Sequence, residues 1–331
     1  MRFSKGRKAL FFLGLAIVVG VLWTAYPRPL PVSNVPDLWI FYARATGVNE
    51  VLFGRRYTAR GKPAGSVLRL GRLGLVQEAE TASNGPQGWE WVTTGGAVFG
   101  IHGGRVVARR PAPQGSQIVS LAVVDNTLQA VAERMDGSHV SVLVWKSDGW
   151  VEEATNLPLG ITTLLAGPGQ SVWSLTAEPD RARLTEITGG RIQYRTGRLE
   201  PQGTAGFVDG TPIIPFAAGR STFGYWTGTR HDFASVYRAA ISVTDTNPLW
   251  GLGVKGMIPY QGGAFQTRHL VPWPHPQETT PVMLGGDGPW IAILDGFSQG
   301  QWFNVETGTF GPQFQIKTPW WAVVRAASLG S

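Results

Sequence analysis

Cysteine is absent from all 331 residues, so disulfide staples, thiolate metal sites and lipid attachment at a cysteine are excluded together. Charge is sparse: Asp, Glu, Lys and Arg make up 15% of the chain, against ~25% in ordinary globular domains. The sequence also lacks a GxSxG nucleophile elbow, an HExxH helix, a P-loop and an EF-hand loop, which removes the most recognisable hydrolase, metalloprotease, nucleotide and calcium chemistries. Among the five histidines, His269 and His275 stand six apart in "HLVPWPH", and the intervening prolines rule out the helical i, i+4 geometry of a zinc pair. The pairs Gly95-Gly96 and Gly103-Gly104 bracket strand-like runs and open no helix, so they make no phosphate cradle. No metal and no cofactor is expected.

What is present is apolar and heavily punctuated. Apolar residues form 43% of the chain, enough for a proper core. Gly (44) and Pro (23) together make up about a fifth of it, which breaks the chain into many short elements. Four charges of the net +7 are Arg2, Lys5, Arg7 and Lys8, and the remainder carries 25 basic against 22 acidic residues. So slight an excess predicts no nucleic-acid partner.

The four early charges precede Ala9 to Tyr26, "ALFFLGLAIVVGVLWTAY", eighteen residues without a charge. As a helix this stretch reaches roughly 27 Å, close to the hydrocarbon thickness of a bilayer. A cleaved signal peptide competes with an anchor here, but cleavage after Ala25 places bulky Trp23 where a small residue belongs, and cleavage after Gly20 strands "VLW" on the mature end. Trp23 and Tyr26 suit the bilayer interface, and a basic flank stays in the cytoplasm. The expected organisation is a cytoplasmic basic tip over 1–8, a transmembrane signal anchor over 9–26, a stiff Pro-rich tether over 27–37, a repeat domain over 38–320 and a C-terminal tail over 321–331. The domain is then extracytoplasmic on a single-pass cell-membrane protein.

From Leu38 onward the chain alternates in the manner of strands. Gln117 to Pro158 divides into "QIVSLAVVD", "NTLQAVAERMDG", "SHVSVLVWKSDG" and "WVEEATNLP", β-branched or aromatic runs separated by turn residues. Gly160 begins a second such block 43 positions after Gln117, and Thr204 a third 44 further on. A period in the forties with four strands per unit predicts an all-β, seven-bladed β-propeller, six blades being the other count, since one such sheet cannot bury both faces until neighbours flank it. A β-sandwich pair gives no reason for the repeat, and a β-helix needs a shorter one. The blocks at 117–158 and 160–201, with "GQWFNVETGTF" at Gly300 to Phe310, resemble the β-propeller superfamily of extracytoplasmic bacterial proteins, including its quinoprotein-like and sialidase-like groups. The resemblance assigns no subfamily.

"VWKSDGW" at Val144 to Trp150 resembles the aspartate box of sialidase-like propellers without its intervening residues. It is read as a turn between third and fourth strands, with Asp148 bonding backbone amides and Gly149 at positive φ. Ligands of propellers bind at the mouth of the central channel, which loops joining second to third strands help to form. That rule nominates Arg60 and Lys62, His102 and Arg105, Asp136 and His139, Asp180 and Arg181, Arg220, and Asp295 as ligand-binding candidates. Arg55, Arg56, Arg60, Lys62, Arg69 and Arg72 occur without an intervening acid, a basic patch if they share a face, with an anionic glycan or phospholipid as partner. No convergent acid and base is evident. The function expected is a membrane-anchored, non-catalytic binding or scaffold module for an envelope protein or wall-associated ligand. The alternative is a glycoside hydrolase or lyase using Trp89 and Trp91 as aromatic platforms, although two tryptophans on one strand face also simply fill space between sheets.

Overall fold

The computed structural model describes residues 35–44, 50–74, 81–82, 89–157, 161–167, 171–178, 181–188, 191–199, 201, 205–217, 222–228, 231–235, 242–244, 248–253, 255–274, 282–284, 288–296 and 298–329. The expected anchor over 9–26 and most of the tether lie outside these residues. Among the described residues no helix is long and apolar enough to cross a membrane.

In chain order, β1 (Leu38–Arg44), β2 (Val51–Tyr57) and β3 (Pro63–Arg72) pair antiparallel. β4 (Thr81–Ala82), β5 (Glu90–Thr93), β6 (Ala97–His102) and β7 (Arg105–Pro111) form blade II. β8 (Ser116–Val124), β9 (Thr127–Arg134), β10 (Val140–Lys146) and β11 (Gly149–Leu157) form blade III, and β12 (Ile161–Ala166), β13 (Val172–Glu178), β14 (Arg181–Thr188) and β15 (Arg191–Gly197) form blade IV. Blade V holds β16 (Gly206–Val208), β17 (Thr211–Ala217), β18 (Thr222–Trp226) and β19 (His231–Ser235). Blade VI holds β20 (Ser242–Val243), β21 (Trp250–Gly253), β22 (Gly256–Gln261) and β23 (Ala264–Phe265), with β24 (Val271–Pro272) also beside β22. Blade VII holds β25 (Val282–Leu284), β26 (Trp290–Asp295), β27 (Gln299–Asn304) and β28 (Thr309–Gln315). The last strand, β29 (Ala322–Leu329), pairs with β1 from Leu38↔Leu329 to Arg44↔Ala322 and completes blade I. Within the expected tail over 321–331, residues 322–329 are instead the strand that closes the ring.

Each sheet hides both faces against its neighbours. Trp39, Phe41 and Leu52 of blade I pack with Val92, Phe99 and Ile101 of blade II, and Trp91 and Val98 of blade II pack with Ile118, Leu121 and Leu128 of blade III. The same layering joins III to IV, IV to V, V to VI and VI to VII. Between VII and I, the indole of Trp302 donates to Ala59 O at 2.8 Å. First strands line the axis: Thr81 Oγ1 in β4 donates to Ala327 O in β29 at 3.2 Å, and the Leu164 amide of β12 donates to Ser120 Oγ of β8 at 3.0 Å. The structure is therefore a seven-bladed β-propeller of four-stranded antiparallel blades.

Local chemistry explains the strand partners. Phe41 lies opposite Gly54, and a Cβ on Gly54 would come 2.9 Å from its ring. Trp91 lies opposite Gly100 in the same way, with a Cβ there 2.9 Å from Trp91 and 3.0 Å from Trp89. Glycine thus opens a flat seat for an aromatic ring from the adjoining strand. Trp89 and Trp91, 5.4 Å apart, belong to this packing, and Trp91 is buried.

The turn at Ser147-Asp148 differs in detail from the sequence reading. Gly149 does not take positive φ and already opens β11. No hydrogen bond ties Asp148 to the turn amides among the described residues. Trp145 and Trp150 pair across the turn edge to face, 5.1 Å apart at 87°, and hold it by ring contact. Left-handed residues instead make the β8–β9 turn, at Asp125 (φ 48°) and Asn126 (φ 58°), the two-residue turn that matches strand twist.

Candidate functional site

Because strands alternate in direction, the turns joining first to second and third to fourth strands lie at one end of the ring, here the turn end. Second-to-third turns and the crossovers between blades lie at the other, the crossover end. Leu38 pairs with Tyr57 and Leu329, so the chain joins the ring at the turn end.

The ten nominated residues divide between these ends. Asp136 and His139 sit in the β9–β10 turn, Arg181 opens β14, and Asp295 closes β26, all at the crossover end. Asp180 and Arg220 lie outside the described residues. Arg60 and Lys62 occupy the β2–β3 turn, and His102 and Arg105 flank the β6–β7 turn, which places these four at the turn end. Their expected position is corrected for one reason in two forms. β29 supplies the innermost strand of blade I, and the two-residue β4 supplies that of blade II. A count that starts at β1 or β5 therefore runs one strand early.

At the turn end, Arg56 and Arg105 come together across blades I and II. They line a cleft of about 190 Å³ with Trp39, Ser66 and the glycines Gly65, Gly103 and Gly104. Arg56 Nε lies 3.3 Å from Asp37 Oδ2. Arg105 has no acidic partner among the described residues.

The crossover end carries features that were invisible in the sequence. Trp320, in the crossover from β28 to β29, is 96% exposed. Its neighbour Trp321 is gripped instead, meeting Tyr42 and Phe53 edge to face at 5.9 and 6.1 Å with the Arg44 guanidinium 5.9 Å from its ring centre. Below them Arg325 clasps Glu50 with Nη2 at 2.7 and 2.6 Å from the two carboxylate oxygens and Nε at 3.1 Å. Burial pushes the Tyr42 phenol above its ordinary pKa, only partly offset by Arg55, so it stays neutral at physiological pH.

Hydrolysis by paired carboxylates requires a protonated acid and a second carboxylate over one concavity. At the crossover end Glu50 is occupied by Arg325, and Asp295 is 5% exposed. Asp136 is shifted in the wrong direction for an acid: the Ser138 hydroxyl and amide hold its carboxyl below the usual carboxylate range, with Arg134 adding to the effect. Among the described residues no group of His, Asp and Glu is arranged to hold a metal ion.

Fold and surface together define a propeller in which, among the described residues, no paired carboxylates and no metal-holding group come together. No family profile and no curated protein sequence matches the chain. Solved structures do. A functionally unknown protein from Desulfotomaculum acetoxidans superposes with a TM-score of 0.57 at 11% identity, over 88% of this chain and 99% of its own. A virginiamycin B lyase from Staphylococcus aureus gives 0.53 at 12%, over 81% and 94%, and a protein of unknown function from Bacteroides caccae gives 0.51 at 11%, over 89% and 99%. Likeness at such identity shows the fold alone. The chain has the β-propeller fold, and these comparisons assign it to no family.

Proposed function

We propose that this propeller is a non-catalytic binding module, anchored by residues 9–26 in the cell membrane with the ring on the extracytoplasmic side, and that it engages an envelope protein through its crossover end. The observation that carries this reading is Trp320, 96% exposed on a base made rigid by the Trp321 contacts with Tyr42 and Phe53. A bare tryptophan on a braced loop is costly to leave in water and is typical of the anchors that dominate protein interfaces. Its location supports the same reading, because the described chain enters the ring at the opposite end, at Leu38.

The test compares the full chain with Trp320→Ala by crosslinking in cells, followed by purification from membranes. Loss of a hot-spot tryptophan typically costs about 2 kcal/mol, roughly thirtyfold in affinity. Crosslinks to a discrete envelope protein are expected to vanish in the variant while its unfolding midpoint is unchanged. The same crosslinks in both proteins overturn the assignment of the partner surface to Trp320.

A further inference from the structure

We propose that the turn-end rim of blades I and II is a docking surface for anionic lipid headgroups, a deepening that rests on the anchored reading above. Charge is divided unevenly along the chain. Residues 35–116 hold ten Lys and Arg against five Asp and Glu, a net +5, whereas 117–331 hold fourteen against seventeen, a net −3. Three of those five acids are already committed or hidden: Glu50 is held by Arg325, Asp37 sits on Arg56, and Glu90 is buried. The cations are not. At the turn end Arg60, Lys62 and Arg105 are exposed, and among the described residues none has an acid within ion-pair distance.

The rim is also apolar where a membrane surface would touch it. Val67 on β3 and Val106 and Val107 on β7 are 45%, 40% and 47% exposed. β7 opens with three consecutive exposed residues, Arg105, Val106 and Val107, so both faces of this outer strand stand uncovered. Between β3 and β7 lies the cleft shared by Arg56 and Arg105. A Cβ on Gly65, Gly103 or Gly104 would meet nothing within 4 Å, so the cleft is open above these backbones. Cations interleaved with half-exposed β-branched side chains suit an interfacial surface: the guanidinium groups take phosphate, and the valines enter the headgroup boundary.

The position of the rim selects lipid over a diffusing anionic partner. Leu38 begins β1 beside Tyr57 at this end, and Trp39 and Arg56, partners in the next register position, both line the cleft. Residues 27–37 connect the candidate anchor to that point, and eleven residues reach no further than about 40 Å. Such a tether holds the rim near the bilayer at high effective concentration, so that weak individual contacts add up.

The absence of cysteine makes a direct test available. Single Ser66→Cys and Met135→Cys variants of the full chain, one at the cleft and one at the crossover end, are labelled with a thiol-reactive fluorophore and reconstituted in lipid nanodiscs. The discs contain a headgroup quencher and either phosphatidylcholine alone or a mixture with phosphatidylglycerol. At Ser66, quenching is expected to rise about threefold with the anionic lipid and to return to baseline in about 1 M salt, where the Debye length shrinks to ~3 Å. Met135 quenching is expected to stay constant. Replacing Arg56, Arg60, Lys62 and Arg105 with Gln abolishes the Ser66 response, and Arg105→Gln alone weakens it. The salt titration needs no substitution and so stands even where the quadruple variant folds poorly. A chain that co-fractionates with the discs but shows equal Ser66 quenching in both lipids overturns the docking proposal and leaves the anchor standing. A chain that never enters the discs overturns both.

Discussion

Blades I and III contain the same four-stranded sheet, yet they are built in opposite ways. In blade III every strand is a hairpin neighbour of the one before it, from Ser116 to Leu157, and the turns at Asp125-Asn126 and Ser147-Asp148 set the register locally. Blade I takes three strands from the start of the domain and its innermost from the far end, so β1 and β29 meet across almost the whole chain. No turn aligns that pair. Side chains do so instead: Arg325 of β29 grasps Glu50 next to β2, and Trp321 wedges against Tyr42 and Phe53. Where loop closure costs most entropy and turn chemistry is lacking, the chain concentrates directional contacts.

The largest test of this contrast removes the closure. Truncation after Trp321 deletes β29, exposes the inner edge of β1 along its length and leaves Glu50 buried without its cation. Loss of cooperative unfolding is expected, read by tryptophan fluorescence in urea. A circular permutant of the ring that opens the chain between β11 and β12 and joins Leu329 to Val35 through a linker should instead retain a cooperative transition, because blade III then borders a break that needs no new long-range pair. A truncated chain as stable as the parent would show that β29 does not close the ring.

A smaller effect attaches to the ion pair alone. Glu50 is 8% exposed, and the Arg325 side chain is 19% exposed. Arg325→Ala should therefore destabilise by about 3 kcal/mol, at the low end for a buried pair deprived of one member. The double change Glu50→Leu with Arg325→Met should recover most of that loss, since the cost comes from an unpaired buried charge rather than from a missing attraction. In blade III the corresponding polar contact, Ser141 Oγ donating to Glu152 Oε1 at 2.8 Å, is worth about 1 kcal/mol. If Ser141→Ala proves as harmful as Arg325→Ala in urea unfolding, closure is not what makes blade I special.

The same contrast decides what could be read from the sequence. Blades III and IV are legible because each is contiguous and each boundary carries its own turn residues, and that repeat is sufficient for the fold. Blade I is misread at its edges. "AVVRAASL" at Ala322 to Leu329 looks like a tail because nothing local names a partner nearly three hundred residues away. Blade II loses its first strand to brevity, Thr81–Ala82 being too short for a period to show. These two omissions moved Arg60, Lys62, His102 and Arg105 to the wrong end of the ring. The exposure of Trp320 was hidden for a related reason: "PWW" holds two equal candidates, and only the closed ring decides which indole is gripped and which is bare. The basic run from Arg55 to Arg72 was plain in sequence, but its meeting with Arg105 depends on two blades standing side by side.

The smallest expected effect probes how local blade III is. In the β9–β10 turn the Ser138 amide donates to Asp136 Oδ1 at 2.9 Å, and the Ser138 hydroxyl is the leading cause of the lowered Asp136 pKa. A carboxyl depressed in the folded state contributes stability above its unfolded pKa of about 3.9, and that contribution disappears as pH falls through the folded value. Ser138→Ala removes the hydroxyl but keeps the amide, so the Asp136 titration should move upward towards the ordinary carboxylate range without reaching it. Carboxyl carbon shifts followed by NMR across acid pH read this directly. Because the group is exposed, stability near neutral pH should hardly change and blade I should not respond at all. A shift in the resonances of Trp321 or Arg325 on this substitution would mean that the blades communicate through the ring, and the division between a locally determined blade and a closure-dependent one would fail.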